Sequence, residues 1–117
     1  MFIILIIMAK KHVFPLFLDA DSVSTAAAGA LAVTTSYHIV TPGSSDVAYT
    51  VAAGTIPGQM MVIINAHASN DANITFASPL NSAADVIALD NGGEQVTAMW
   101  NGSNWIILSG EAATTVA

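Results

Sequence analysis

The chain has 117 residues, no cysteine, and two basic residues, Lys10 and Lys11, against eight acidic ones, for a formal net charge of −6. That length accommodates one domain, the missing cysteines exclude a disulfide framework or thiolate metal site, and so few Lys and Arg leave nothing to displace counterions from a phosphate backbone, so no nucleic-acid partner is expected. Hydrophobic residues make up 54% and charged residues 9%, against about 25% charged in a typical globular domain, so some apolar surface is expected to be buried against other subunits.

The first stretch, MFIILIIMAKK, carries an apolar run from Phe2 to Met8. It is far shorter than the ~20 residues of a spanning helix. It also lacks the preceding positive charge of a signal peptide, because its lysines follow the run. Met8 opens an ordinary chain start, so residues 1–7 read as an upstream extension. No membrane partner is expected, with a short interfacial anchor as the competing reading. Residues 9–22 look like an arm. Val13, Phe14, Leu16 and Phe17 surround Pro15, which blocks regular helix and central-strand pairing. The arm either docks its aromatics on a neighbour or forms an edge strand on its own domain.

Residues 26–29 read as a connector and 30–35 as the first strand. After residue 35 no helical period is sustained, and short apolar runs alternate with turns. The strands are expected at residues 37–41, 47–52, 59–67, 73–77 and 86–89. Val47, Tyr49 and Val51 share a face, and Ile74 and Phe76 point inward. QMMVIINAH, the most apolar run, reads as a central strand buried on both faces. Pro42-Gly43-Ser44-Ser45, GTIPG and Asp90-Asn91-Gly92-Gly93 mark turns, and residues 111–117 read as a loose tail.

The closing stretch EQVTAMWNGSNWIILSG reads as a β-hairpin. Two β-prone runs flank Asn101-Gly102-Ser103-Asn104, and Asn-Gly suits a turn that needs positive φ. With a four-residue loop Trp100 faces Trp105 directly; with a two-residue turn Trp105 faces Ala98. Either parity puts both indoles on one face, where they are expected to anchor the core. Seven or eight strands at this spacing indicate an all-β, antiparallel β-sandwich or jelly-roll-like domain with an extended N-terminal arm. The expected division is residues 1–28 for arm and connector, 29–110 for the sandwich and 111–117 for the tail.

Gly54-Thr55-Ile56-Pro57-Gly58-Gln59 leading into an apolar strand, and Met99-Trp100-Asn101-Gly102-Ser103-Asn104-Trp105 closing the fold, form a pattern over residues 30–109. It resembles small β-domains of tailed-phage virion proteins, particularly those of cyanobacterial and marine phages. The resemblance implies a capsid decoration (cement) protein on the outer capsid surface, or a tail-fibre, head-fibre or spike module that binds host glycan. For a cement protein the implied partners are the major capsid protein and further copies of the chain, as a homotrimer. The expected contact arm then comprises Phe2, Ile3, Leu5, Val13, Phe14, Leu16 and Phe17, with Trp100, Asn101, Gly102 and Trp105 as the structural hairpin.

No enzymatic site is legible, and no catalytic, cofactor-binding or metal-binding residue is assigned. His12, His38 and His67 lack the i,i+4 spacing of a metalloprotease helix. Asp19-Ala20-Asp21-Ser22 begins like a calcium loop without its glycine or later glutamate. No G-x-S-x-G elbow occurs. Asp85, Asp90 and Glu94 form a candidate acidic cluster whose simpler reading is solvated turn charge.

Overall fold

In the segment Val47–Val51 buried and exposed residues strictly alternate, as expected of a strand with one face on a core and one outside. The same alternation recurs along the chain of this computed structural model. It describes residues 20–23, 28–80, 86–110 and 114–116, with the backbone alone for the first and last of these stretches. Ten strands result: β1 Ala20–Val23, β2 Gly29–Leu31, β3 Tyr37–Val40, β4 Val47–Val51, β5 Met60–Asn65, β6 Ala72–Phe76, β7 Val86–Leu89, β8 Gln95–Trp100, β9 Trp105–Gly110 and β10 Thr114–Val116. They form two five-stranded sheets, β1-β3-β5-β8-β9 and β10-β7-β6-β4-β2. The sheets pack as a β-sandwich, as the sequence led us to expect.

Strand direction departs from the antiparallel, jelly-roll-like expectation in the first half. From β1 to β6 each strand lies in the opposite sheet from the one before, so every return to a sheet runs parallel. β1, β3 and β5 form one parallel ladder and β2, β4 and β6 the other. A parallel pair needs a long crossover, and here the crossover is a strand of the facing sheet. From β6 onward the chain doubles back. The β6–β7, β7–β10, β5–β8 and β8–β9 pairs are antiparallel. Hydrophobic alternation has the same period in either direction, so it could not distinguish the two halves.

Four local boundaries also differ. The strand expected at residues 30–35 stops at Leu31, because the chain turns at Val33 and Thr34. The Thr35 hydroxyl and His38 Nε2 both reach the Ala32 carbonyl, at 3.3 and 2.9 Å, and close that corner. Residues 37–41 are therefore not a continuation of that strand; β3 lies in the other sheet. β1 falls within the stretch expected to be arm and connector, and β10 within the expected tail; each pairs with a sheet edge. The fourth difference concerns β5. It is central, between β3 and β8, but only Met61, Ile63 and Asn65 face the core.

The core lies between the sheets and includes Tyr49, Ile74, Phe76, Leu89, Val96, Trp100 and Trp105. Asn65 is, with His38, one of two fully buried polar residues among those described, and its side chain is fully bonded. Its Nδ2 donates to the Asn70 and Leu89 carbonyls at 2.9 and 2.8 Å, and its Oδ1 accepts from His67 N–H at 2.8 Å. A buried amide costs little once its donors and acceptor are matched, and these bonds tie β5 to β7 across the sandwich.

Candidate interaction surface

The hairpin is built as the four-residue-loop reading requires. Trp100 pairs directly with Trp105, their ring centroids lie 5.5 Å apart at 60°, and both are buried. Phe76 adds a second tilted contact to Trp105 at 5.6 Å. Such offset geometry suits the quadrupoles of aromatic rings. Trp105 Nε1–H donates to the Ala52 carbonyl at 2.8 Å, so the indole is bonded as well as enclosed. Asn101 Oδ1 accepts from Ser103 N–H and Asn104 N–H at 2.8 and 2.7 Å. Gly102 takes the expected positive φ, 105°.

The two sequence motifs, residues 54–59 and 99–105, lie far apart in the chain but are one physical unit. A Cβ on Gly54 would come within 2.3 Å of the Trp100 ring, and one on Gly102 within 3.3 Å of Pro57. Gly58 N–H donates to the Trp100 carbonyl at 2.7 Å, and Trp100 N–H to the Gln59 carbonyl at 2.8 Å. The Gln59 side chain organises the turn. Its Oε1 accepts from Thr55 N–H at 2.8 Å, and its Nε2 donates to the Val33 carbonyl. Beside it lies an open groove of about 470 Å³, lined by Val33, Thr34, Ser36, Thr55, Pro57 and exposed Ile56. No charged residue is among its lining residues.

Four acidic residues, Asp46, Asp71, Asp90 and Glu94, gather at the opposite end of the strands. Asp71 N–H donates to Asp46 Oδ1 at 2.9 Å. Glu94 Oε2 accepts from the backbone of Asp90 and Asn91. Burial, reinforced by Asp46, Asp90 and Glu94, raises the Asp71 carboxyl above its ordinary value. Hydrogen bonding from the Asn91 side-chain amide, with backbone bonds from Asn91 and Asp90, lowers that of Glu94 against an opposing desolvation. Asp90 and Glu94 thus do share a turn; Asp85 lies outside the described residues. Among the described residues no group of three or more His, Cys, Asp or Glu is placed to hold a metal ion. His67 Nδ1 accepts from Ser69 and Asn70 N–H at 3.1 and 2.9 Å, a turn-stabilising role. His38 is fully buried, with Nε2 near Ala32 O and Thr35 Oγ1 and with Nδ1 unpartnered.

An extended, half-buried surface is the outward face that β3, β5, β8 and β9 give the β1-β3-β5-β8-β9 sheet. The register arranges it in three rows: Met60–Met99–Ile106, Tyr37–Val62–Thr97–Ser109, and Ile39–Ile64–Gln95. The β-bulge between Thr97 and Ala98 adds Leu108, half exposed, beside the middle row. None of these residues is charged. The outward face of the other sheet carries smaller side chains, half of them polar: Ala48, Thr50, Asn73, Thr75, Val86 and a buried Ala88. The sequence signal for the apolar face was the continuous run QMMVIIN, which was read as two-sided burial within one domain. The contact-arm residues Phe2, Ile3, Leu5, Val13, Phe14, Leu16 and Phe17 all lie outside the described residues.

In comparisons with known proteins, no family model matches this chain, and no curated protein sequence matches it.

Proposed function

We propose that this chain is a non-enzymatic structural subunit of a virion, a capsid decoration (cement) protein that associates with copies of itself through the outward face of the β1-β3-β5-β8-β9 sheet. The observation that carries the reading is that face: three rows of large apolar and uncharged side chains on a chain of net charge −6. A second copy suits it because the two facing surfaces carry no charge to repel each other, and because apolar area is stabilised by matching apolar area. The virion setting is supported by the resemblance of residues 54–59 and 99–105 to phage virion β-domains, and those two motifs pack against each other.

Magnitude limits what the face does alone. With strands about 4.8 Å apart and successive outward residues about 6.8 Å apart, three rows across four strands span roughly 400 Å² of footprint. Each partner in a standard stable interface buries about 800 Å². The face by itself supports reversible association, and a lasting assembly such as a trimer on a shell requires further contact. The apolar N-terminal segment, residues 2–17, is assigned that second contact, on the major capsid protein. The glycan-binding alternative gains no support from the indoles, which are both enclosed in the core.

Sedimentation of the full chain over a concentration series tests self-association, and a monomer at all concentrations would refute it. Shell occupancy is measured separately, by mixing the chain with capsids. Deleting residues 1–18 is expected to abolish occupancy while the sandwich stays folded; undiminished occupancy would remove the arm from the proposal.

A further inference from the structure

We infer that Asn101 is a site of self-catalysed deamidation, activated by the turn that contains it. Asn101 and Gly102 are both exposed, and Gly102 has no side chain to shield its backbone nitrogen from the neighbouring Asn101 side chain. Ser103 N–H and Asn104 N–H point at Asn101 Oδ1 from 2.8 and 2.7 Å. Two backbone donors on one carbonyl oxygen are the arrangement that stabilises an oxyanion when a nucleophile adds to that carbonyl. The nucleophile here is Gly102 N. Its proton passes to water, a bond forms from it to Asn101 Cγ, and negative charge develops on Oδ1. The Cγ–Nδ2 bond then breaks, and Nδ2 departs as ammonia after taking a proton from water. Water opens the resulting succinimide at either carbonyl, leaving aspartate or isoaspartate. The net reaction consumes one water and releases one ammonia.

The chain carries its own control. Asn91-Gly92 is the same dipeptide in another exposed turn, with the opposite surroundings. Asn91 Nδ2, the leaving group, is held by Glu94 Oε1 at 3.2 Å. The carboxylate beside it opposes a developing oxyanion. Among the described residues no backbone donor is placed on Asn91 Oδ1. At Asn101 either product adds a negative charge, and isoaspartate also lengthens the main chain by a methylene beside the paired indoles.

The test is peptide mapping by mass spectrometry of the native chain held at neutral pH, with a parallel sample in concentrated urea. Conversion at Asn101 is expected to run several-fold faster than at Asn91 in the native chain, and the two rates are expected to converge in urea, where the turns are lost. Equal or reversed rates in the native chain, or a ratio that persists unchanged in urea, would overturn the assignment.

Discussion

The two sheets have similar inner faces and opposite outer ones. One presents Tyr37, Ile39, Met60, Val62, Ile64, Met99, Ile106 and Leu108 outward; the other presents alanine, threonine, asparagine and a single valine in the corresponding places. Folding the domain requires only that each sheet bury one face, so the core alone does not explain why the first sheet is apolar on both. An outer face that is apolar, large and uncharged is a surface for another molecule. Thr50, Asn73 and Thr75 show the smaller, more polar side chains that the same chain places on its other outer face.

The comparison can be broken at several levels. Both outer faces rest on one core, so Trp105→Ala is expected to have the largest effect. Truncating a buried tryptophan costs about 3–5 kcal/mol, a large share of the ~5–15 kcal/mol that holds a domain together, and the indole's bond to Ala52 goes with it. Urea unfolding would show a lower midpoint, and a loss under 1 kcal/mol would contradict the packing described. Gly54→Ala comes next. Its Cβ has no room against Trp100, so a cost of about 1–3 kcal/mol is expected from overpacking, read by the same unfolding curve.

Charge substitutions sharpen the contrast between faces. Ile64→Lys sits on the central strand of the apolar face and is expected to weaken self-association by on the order of tenfold or more, ~1.4 kcal/mol. Thr50→Lys on the polar face is expected to leave association unchanged. Sedimentation of both variants, with circular dichroism to verify folding, decides the matter; equal effects would place the interface elsewhere.

The smallest effect is electrostatic. The folded state lowers the Glu94 carboxyl below its ordinary value. Glu94 therefore contributes stability above the ordinary glutamate range, and that contribution is lost as pH falls through the lowered folded value. Asp71 is raised instead. It favours the folded state in acid, and that advantage is lost as pH rises through its folded value. Glu94→Gln should flatten the acid side of a plot of melting temperature against pH. A steeper acid limb would reverse the assignment.

The hairpin was the most legible part of the sequence. Asn-Gly chemistry, the spacing between Trp100 and Trp105, and strict alternation put both indoles on one face for either loop length, and the structure settled the register by pairing Trp100 with Trp105. The parallel half was legible as strands and illegible as topology. β3 and β5 pair across the whole of β4, and nothing in Tyr37–Val40 records which way its neighbour runs. The edge strand β1 overlaps the end of the stretch for which an edge strand was one of two readings, whereas β10 has no such signal, because edge pairing demands little of side chains; Thr114–Val116 reads like a tail until it lies beside Val86–Leu89. The joining of residues 54–59 to the hairpin was visible only as two motifs in one chain. Glycine at position 54 signals close approach of something without naming the indole that approaches.

The sequence by itself determined the class of structure, because alternation, turn residues and scarce charge act through neighbours a few residues apart. It also implied that apolar surface exceeded what one small domain encloses. Only the tertiary structure decided where that surplus lies, since along β5 the outer residues Met60, Val62 and Ile64 are as apolar as the inner Met61 and Ile63. Met60, Val62 and Ile64 came to lie half-buried on the outer side, and Met61 and Ile63 in the core, when the second sheet closed over one side of the first.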